Sequence, residues 1–147
     1  MRALVQRCRE AWVRSEGVEV GRIDAGLCVL VGVTHTDNAA TSAKMADKLW
    51  NLRVMDDDDG VMNLSVADTS RSLLLVSQFT LYGDTRKGRR PSWIEAARPE
   101  HAEPLFTAVV EALVELGATV ETGRFRTDME VGLINDGPVT VSVELDA

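Results

Sequence analysis

Residues 71–80 read RSLLLVSQFT, an apolar run that ends in a mostly polar tail. The run 73–76 is apolar at every position, which is typical of a strand whose two faces are both covered. The earlier segment 26–33, GLCVLVGV, has the same character. The two segments therefore predict central strands. The tail 77–80 then follows a strand end, where ligand sites concentrate.

Shorter β segments are predicted on both sides of these strands. RALVQR (2–7) alternates apolar and polar residues, as a half-buried strand does. The segment 18–23 is joined to 26–33 by Asp24–Ala25, which predicts a hairpin. Near the end of the chain, 118–123 predicts a short strand and 128–145 predicts two strands joined at NDGP.

Apolar residues at helical spacing predict two helices. One covers 37–52, with Asp37 or Asn38 as its N-cap, and the other covers 99–116 and stops at Gly117. No repeat or linker interrupts the chain, so residues 1–147 are expected to form one domain. The elements predict an α/β fold with a mixed sheet and the two helices on one face.

The composition is that of an ordinary globular protein, with 45% hydrophobic and 27% charged residues. No apolar run approaches the roughly 20 residues that span a bilayer, and the start of the chain alternates like a strand rather than a signal peptide. Cys8 and Cys28 are expected to be free thiols. These features together favour a cytoplasmic protein.

Several kinds of catalytic site do not fit the sequence. His35 and His101 are the only histidines, and neither has metal-ligand spacing. DDDDG (56–60) fails the EF-hand pattern and predicts a solvated turn. GDTRKGRR (83–90) has arginines where a phosphate-binding loop needs Lys and Ser or Thr, and no G-x-S-x-G is present. We therefore expect no metal and no cofactor.

Four cations lie close together in this acidic chain. The net charge is −7, yet Arg86, Lys87, Arg89 and Arg90 fall within five positions and form a quarter of the sixteen Lys and Arg residues. The overall charge argues against broad nucleic-acid binding, but a local patch can still attract phosphates. Two interpretations remain open, a phosphate-binding loop and a solvated loop.

The polar tail SQFT offers several hydrogen-bonding groups. Ser77 and Thr80 have hydroxyls, Gln78 has an amide, and the turning backbone around Phe79 has N–H groups. Such donors can stabilise a developing oxyanion. The alternative is that these groups only satisfy a strand end.

A second motif, NDGPVT (135–140), interrupts an apolar β segment. Pro138 has no N–H and Gly137 tolerates unusual backbone angles, so a break is predicted here. A cis peptide bond and a simple hairpin turn are both compatible with the pair.

Taken together, SQFTLYGDTRKGRRPS (77–92) and NDGPVT resemble the two signature motifs of the D-aminoacyl-tRNA deacylases. Further segments are similar and follow in the same order, so the resemblance covers nearly the whole chain: MRALVQR, GLCVLVGVTH, KMADKLWNLRV, MNLSV and ETGRF. It implies a barrel-like β core, with mixed, largely antiparallel sheets and the helices on one face. It also implies a homodimer that hydrolyses D-aminoacyl-tRNA and glycyl-tRNA while rejecting L-aminoacyl-tRNA.

The resemblance implies roles for individual residues. Ser77, Gln78, Phe79 and Thr80 would form the floor of the pocket for the 3′ adenosine and its ester. Gly137 and Pro138 would enter the partner subunit's pocket as a chirality filter, and Met129 and Asn135 would line it. Arg86, Lys87, Arg89 and Arg90 would meet acceptor-stem phosphates. Gly83 departs from the family, which usually has alanine there.

Two chemical routes are compatible with these residues. Thr80 is the candidate nucleophile by position, but a threonine hydroxyl needs an adjacent base, and Asp84 is the only acid nearby in sequence. We favour a route in which backbone N–H groups hold the oxyanion and the ribose 2′-hydroxyl assists water. Two other functions remain possible, a noncatalytic nucleic-acid-binding module and a purely structural dimeric sheet protein.

Overall fold

The computed structural model describes residues 1–147. Its helices are α1, α2 and α3, and its strands are β1 to β8. In chain order the elements are β1 (Arg2–Ser15), β2 (Val18–Ile23), β3 (Gly26–Gly32), α1 (Ala39–Asn51), β4 (Met55–Asp56), β5 (Met62–Leu64), α2 (Val66–Thr69), β6 (Ser72–Ser77), a 3₁₀ turn (Phe79–Tyr82), α3 (Pro99–Glu115), β7 (Val120–Thr122) and β8 (Met129–Glu144).

The main sheet is organised around β1. Ala11 of β1 pairs with Ile23 of β2 and with Leu133 of β8, so these two strands flank opposite edges of β1. Strand β3 pairs with the same edge of β1 as β2 does. Strand β6 then pairs in parallel with β3, and β7 pairs in parallel with β6. Strands β4 and β5 form a separate antiparallel pair. The predicted mixed, largely antiparallel arrangement is confirmed.

The predicted hairpin at Asp24–Ala25 is wrong. Strands β2 and β3 both pair with β1, not with each other, and therefore lie one after the other along a single edge. The reversal occurs at Glu16 and Gly17, whose φ angles are 51° and 80°. Two successive positive φ values are typical of a tight hairpin turn that follows the twist of its strands, and glycine adopts them readily.

The predicted pair of strands in 128–145 is a single strand with a bulge. Cys8 pairs with Asn135 and Gln6 pairs with Thr140, so both halves of β8 lie along β1. Residues 136–139 project from the ladder opposite Arg7. The break at Gly-Pro is confirmed, but the chain does not reverse there.

Two apolar cores position these elements. Helices α1 and α3 cover one face of the sheet, where Met45, Val109 and Leu113 pack with residues of β1, β3 and β6. The opposite face curls around a smaller core that contains Cys8, Cys28 and other apolar residues. Both cysteines are free, as predicted. The barrel-like β core with helices on one face is therefore confirmed.

Close backbone approach explains how tightly the sheet curls. A Cβ at Gly21 of β2 would lie 2.8 Å from the carbonyl oxygen of Thr122 in β7, although the two strands are far apart in the sheet order. A Cβ at Gly26 would overlap the carbonyl of Ser72. Glycine at both positions lets neighbouring backbones come together.

Helix α1 begins where the sequence indicates. Asn38 is the N-cap, and its Oδ1 accepts hydrogen bonds from the N–H groups of Ala40 at 2.9 Å and Thr41 at 3.2 Å. Asp37, the other candidate, instead accepts from the Thr34 N–H and from the α-ammonium group of Met1. None of the helices has the length and apolar character that crossing a bilayer requires.

Candidate active site

The SQFT tail forms a tight turn directly after β6. Pairing of β6 with β3 ends at Ser77 and Val31, and the Gln78 N–H then donates to the Val31 carbonyl at 2.7 Å. The 3₁₀ turn begins at Phe79. The backbone N–H groups of Phe79 and Thr80 donate to no acceptor in the chain, as expected at the start of a helical turn. Two adjacent donors are thus available to a ligand.

The Thr80 hydroxyl has no basic partner. Its Oγ1 accepts a hydrogen bond from the Gln78 side-chain amide, which is not a base. Asp84 is held by Arg86, whose guanidinium lies 2.7 Å from its carboxylate. The hydrogen bond from the Arg86 side chain, with a second from the Arg86 backbone N–H, lowers the pKa of Asp84 to about 2. The nearby acid is therefore committed to Arg86 and does not bond to Thr80.

A cleft of about 680 Å³ lies beside this turn. Its floor is apolar and buried, and includes Val31, Val76 and Ala102. Of the residues predicted for the site, Ser77, Gln78, Phe79 and Met129 line the cleft, whereas Thr80, Asn135, Gly137 and Pro138 do not. The structure thus brings β6, its following turn and the start of β8 together around one cavity.

The bulge 136–139 lies apart from this cleft. The Gly137–Pro138 peptide bond is cis, and both residues are exposed. Asn135 braces the base of the bulge: its Oδ1 accepts from the Val139 N–H at 2.7 Å, and its Nδ2 donates to the Thr140 hydroxyl at 3.0 Å. Within one chain, Asn135 therefore shapes the bulge rather than the cleft.

Arg7 is a residue that the sequence analysis missed. Its side chain is only 9% exposed, and its guanidinium donates to the carbonyl oxygens of Asp136 and Val54, each at 2.8 Å. It also lies 3.1 Å from the Asp56 carboxylate. A signal was present, because Arg7 continues the alternation of Ala3 and Val5, which are both buried. An inward-facing cation on such a strand indicates a fixed set of acceptors.

The four cations lie in a loop that we call the basic loop, residues 84–92. Backbone hydrogen bonds between Asp84 and Ser92, at 2.8 and 2.9 Å, close its base. Arg86 is paired with Asp84, whereas Lys87, Arg89 and Arg90 are exposed and make no ion pair. Three of the four positive charges are therefore free to meet an external anion.

Comparison with known proteins places this fold in a family. The family described as D-Tyr-tRNA(Tyr) deacylase matches residues 4–144. The chain belongs to this family. The resemblance seen in the sequence is thereby confirmed.

Curated relatives cover almost the whole chain. A protein of Geobacillus sp. (strain WCH70) is 56% identical over 144 residues, covering 98% of this chain and 95% of its own length. A protein of Mycolicibacterium smegmatis is 55% identical over 148 residues, covering 99% of this chain and 100% of its own length. Each is named D-aminoacyl-tRNA deacylase.

Solved structures share the fold. One described as c-Myc DNA Unwinding Element Binding Protein has a TM-score of 0.94 and 36% identity, and each chain is covered completely. One described as a probable eukaryotic D-amino acid tRNA deacylase has a TM-score of 0.87, with 98% of each chain covered. Because the second is only 14% identical, it supports the fold alone.

Proposed function

We propose that this chain is an aminoacyl-tRNA editing enzyme, with residues 1–147 as a single deacylase domain. It hydrolyses the ester that joins a D-amino acid, or glycine, to the terminal ribose of tRNA, and it rejects the L-aminoacyl ester. Relatives that are more than half identical over nearly the whole chain are named for this activity. The structural observation that carries the proposal is the pair of free N–H donors at Phe79 and Thr80, beside a cleft.

Hydrolysis at this site relies on the backbone. Water attacks the ester carbonyl carbon, and the negative charge that develops on the carbonyl oxygen is held by the Phe79 and Thr80 N–H groups. The ester C–O bond then breaks and the ribose oxygen takes a proton. The neighbouring 2′-hydroxyl assists the attacking water, since Thr80 has no base beside it. No metal or cofactor takes part in this scheme.

A homodimer would complete the site. Gly137 and Pro138 are exposed and lie outside the cleft of their own chain, so a second copy must supply them if they touch the substrate. Strand β8 pairs only with β1, which leaves its other edge without a neighbouring strand. A long unpaired edge is a surface that proteins commonly cover. In the proposed dimer the bulge of one copy approaches the cleft of the other, where Met129 and Asn135 of the assembled pair flank the substrate.

The bulge acts as a chirality filter in this arrangement. A rigid backbone wall excludes a side chain of one hand by steric overlap, whereas a side-chain contact of methylene size discriminates by only about 1–3 kcal/mol. Glycine has no side chain to exclude, so glycyl-tRNA is also a substrate. Arg7 and Asn135 support the proposal because they hold the bulge in one shape.

The basic loop would position the tRNA. Contacts with phosphates orient a nucleic acid without reading its sequence, which suits an enzyme that accepts many tRNAs. Lys87, Arg89 and Arg90 are the stronger candidates, because Asp84 already neutralises Arg86. A noncatalytic nucleic-acid-binding module is not favoured, since the curated relatives above are named as deacylases.

Release of D-tyrosine from charged tRNA tests the proposal directly. Purified protein is incubated with D-tyrosyl-tRNA and, as the control, with L-tyrosyl-tRNA. We expect rapid release from the D form and release from the L form no faster than spontaneous hydrolysis. Binding of both tRNAs without accelerated hydrolysis of either would support the binding module instead.

A further inference from the structure

We infer that Trp93, together with Phe79, stacks on the base of the penultimate nucleotide of the tRNA, the one that precedes the aminoacylated 3′ adenosine. The inference rests on the proposed function, because it concerns the same substrate. The contact would lie at the outer rim of the cleft and would use the two side-chain rings, whereas hydrolysis uses the backbone N–H groups of Phe79 and Thr80.

The cleft has a buried floor and an exposed aromatic rim. Val31 and Val76 on the floor are 1% and 2% exposed, whereas Phe79 and Trp93 are 56% and 43% exposed. A cavity of about 680 Å³ can hold an aminoacylated nucleoside. The next nucleotide must then leave the cleft across its rim.

The two aromatic rings of the rim are arranged so that ring faces remain exposed. The Phe79 and Trp93 ring centroids lie 5.5 Å apart with an interplanar angle of 69°. In such an edge-to-face pair, the rings leave faces uncovered by each other. Exposed aromatic faces at a cleft mouth are suited to base stacking, which needs no particular base edge.

Gly83 fixes the position of the indole. A Cβ at residue 83 would lie 2.6 Å from Cζ3 and 3.3 Å from Cε3 of Trp93, so the indole occupies the space that an alanine methyl group would fill. Gly83 and Trp93 therefore fit as a pair, and the turn backbone supports the ring.

Neighbouring charge favours RNA as the occupant. Trp93 directly follows the basic loop, in which Lys87, Arg89 and Arg90 are exposed and unpaired. A positively charged track beside aromatic side chains is the usual arrangement for binding single-stranded nucleic acid. The 3′ end of tRNA is single-stranded and matches both features.

Two substrates of different length separate this contact from catalysis. The D-tyrosyl esters of adenosine and of the trinucleotide CCA are compared with wild type, Trp93→Ala and Ile94→Ala. Ile94 directly follows Trp93, is 79% exposed and does not line the cleft, so its variant is the matched control. We expect Trp93→Ala to lower kcat/KM for the CCA ester about fivefold more than for the adenosine ester, and Ile94→Ala to leave the ratio unchanged. Equal losses on both esters, or no loss, would overturn the inference.

A second pair of variants tests whether Gly83 sets the position of the Trp93 indole. Gly83→Ala should displace Trp93 and reduce the preference for the CCA ester as Trp93→Ala does. The double variant Gly83→Ala/Trp93→Phe should recover part of that preference, because the smaller ring leaves room for the methyl group. A Gly83→Ala enzyme with the wild-type preference would contradict the proposed fit.

Fluorescence provides a measurement that does not depend on hydrolysis. Binding of uncharged CCA trinucleotide should quench the emission of wild type but not that of Trp93→Phe, which retains Trp12 and Trp50. Adenosine alone should quench the emission of wild type less than the trinucleotide does. Quenching without any deacylation would contradict the proposed function and leave the stacking contact intact, whereas deacylation without quenching would refute the stacking contact alone.

Discussion

The Nε of Arg7 donates a hydrogen bond to the carbonyl oxygen of Asp136 at 2.8 Å, which ties the centre of β1 to the bulge in β8. The same guanidinium reaches the Val54 carbonyl and the Asp56 carboxylate. One buried cation therefore connects the bulge to two other parts of the chain. Under the proposed function, Arg7 positions the chirality filter without touching the substrate.

Replacing Arg7 should weaken the discrimination between D- and L-aminoacyl-tRNA. Arg7→Lys retains the charge but cannot reach three acceptors in a fixed plane, so the bulge should become less rigid. We expect the ratio of kcat/KM for D- over L-tyrosyl-tRNA to fall about tenfold or more, with a loss of about 1–3 kcal/mol in stability. Arg9→Lys, on an exposed side chain that also faces Asp136, is the control. A folded Arg7→Lys enzyme with undiminished discrimination would show that Arg7 is only structural.

The Thr80 hydroxyl should be dispensable for hydrolysis. Thr80→Ala and Thr80→Val retain the backbone N–H that holds the oxyanion, so deacylation of D-tyrosyl-tRNA should remain measurable, within about a hundredfold of wild type. Rapid-quench kinetics and mass spectrometry of the enzyme provide the measurement. Complete loss in folded variants, with an acyl group trapped on wild-type Thr80, would establish the nucleophilic route instead.

The basic loop should contribute to the salt dependence of tRNA binding. Lys87→Gln/Arg89→Gln should weaken binding and flatten the plot of log K against log salt concentration by roughly 0.7–0.9 per lost phosphate contact. Arg86→Gln should have a smaller effect, because Asp84 already pairs with Arg86. Filter binding over a range of salt concentrations measures both. A slope that stays the same in the double variant would support the solvated-loop interpretation.

Mixing two damaged subunits should restore discrimination if the bulge acts across a dimer. Pro138→Ala should damage the filter, and Phe79→Pro should remove one oxyanion donor. Each homodimer should be defective, but refolding an equal mixture should yield dimers with one intact composite site. We expect selective D-tyrosyl-tRNA hydrolysis to recover in the mixture. Without such recovery, in a mixture shown to contain mixed dimers, the bulge would act on its own chain or not at all.

The buried thiols should make the protein sensitive to alkali. Burial raises the pKa of Cys28 from 9.0 to about 12, and it also raises the pKa of Cys8. The folded state therefore holds the thiol proton more tightly than the unfolded chain does. The contribution of this proton to the free energy of unfolding is complete below pH 9 and is lost as pH rises towards 12. Denaturant unfolding between pH 8 and 11 should show the decline, and Cys28→Ala should reduce it. In the native state, thiol reagents should react slowly with both residues at neutral pH.

The order of apolar and polar residues along the chain sets the pattern of burial and, through it, the fold class. Continuous apolar runs at 26–33 and 73–76 predicted central strands, and helical spacing predicted α1 and α3. Asn38 was among the predicted caps because its side chain bonds the first free N–H groups locally. The motifs at 77–80 and 135–140 indicated the family because their residues are local and contiguous.

Which distant segments meet is seen only in the folded chain. The sequence placed a hairpin at Asp24–Ala25, whereas pairing with β1 placed the reversal at Glu16–Gly17. The role of Arg7 depends on acceptors 47 to 129 residues away in the chain, and no local pattern specifies them. The fit of Trp93 against Gly83 likewise arises from packing. Hydrophobic periodicity fixes which face of an element is buried, but strand register and side-chain fit depend on contacts between remote residues, which form only when the chain is folded.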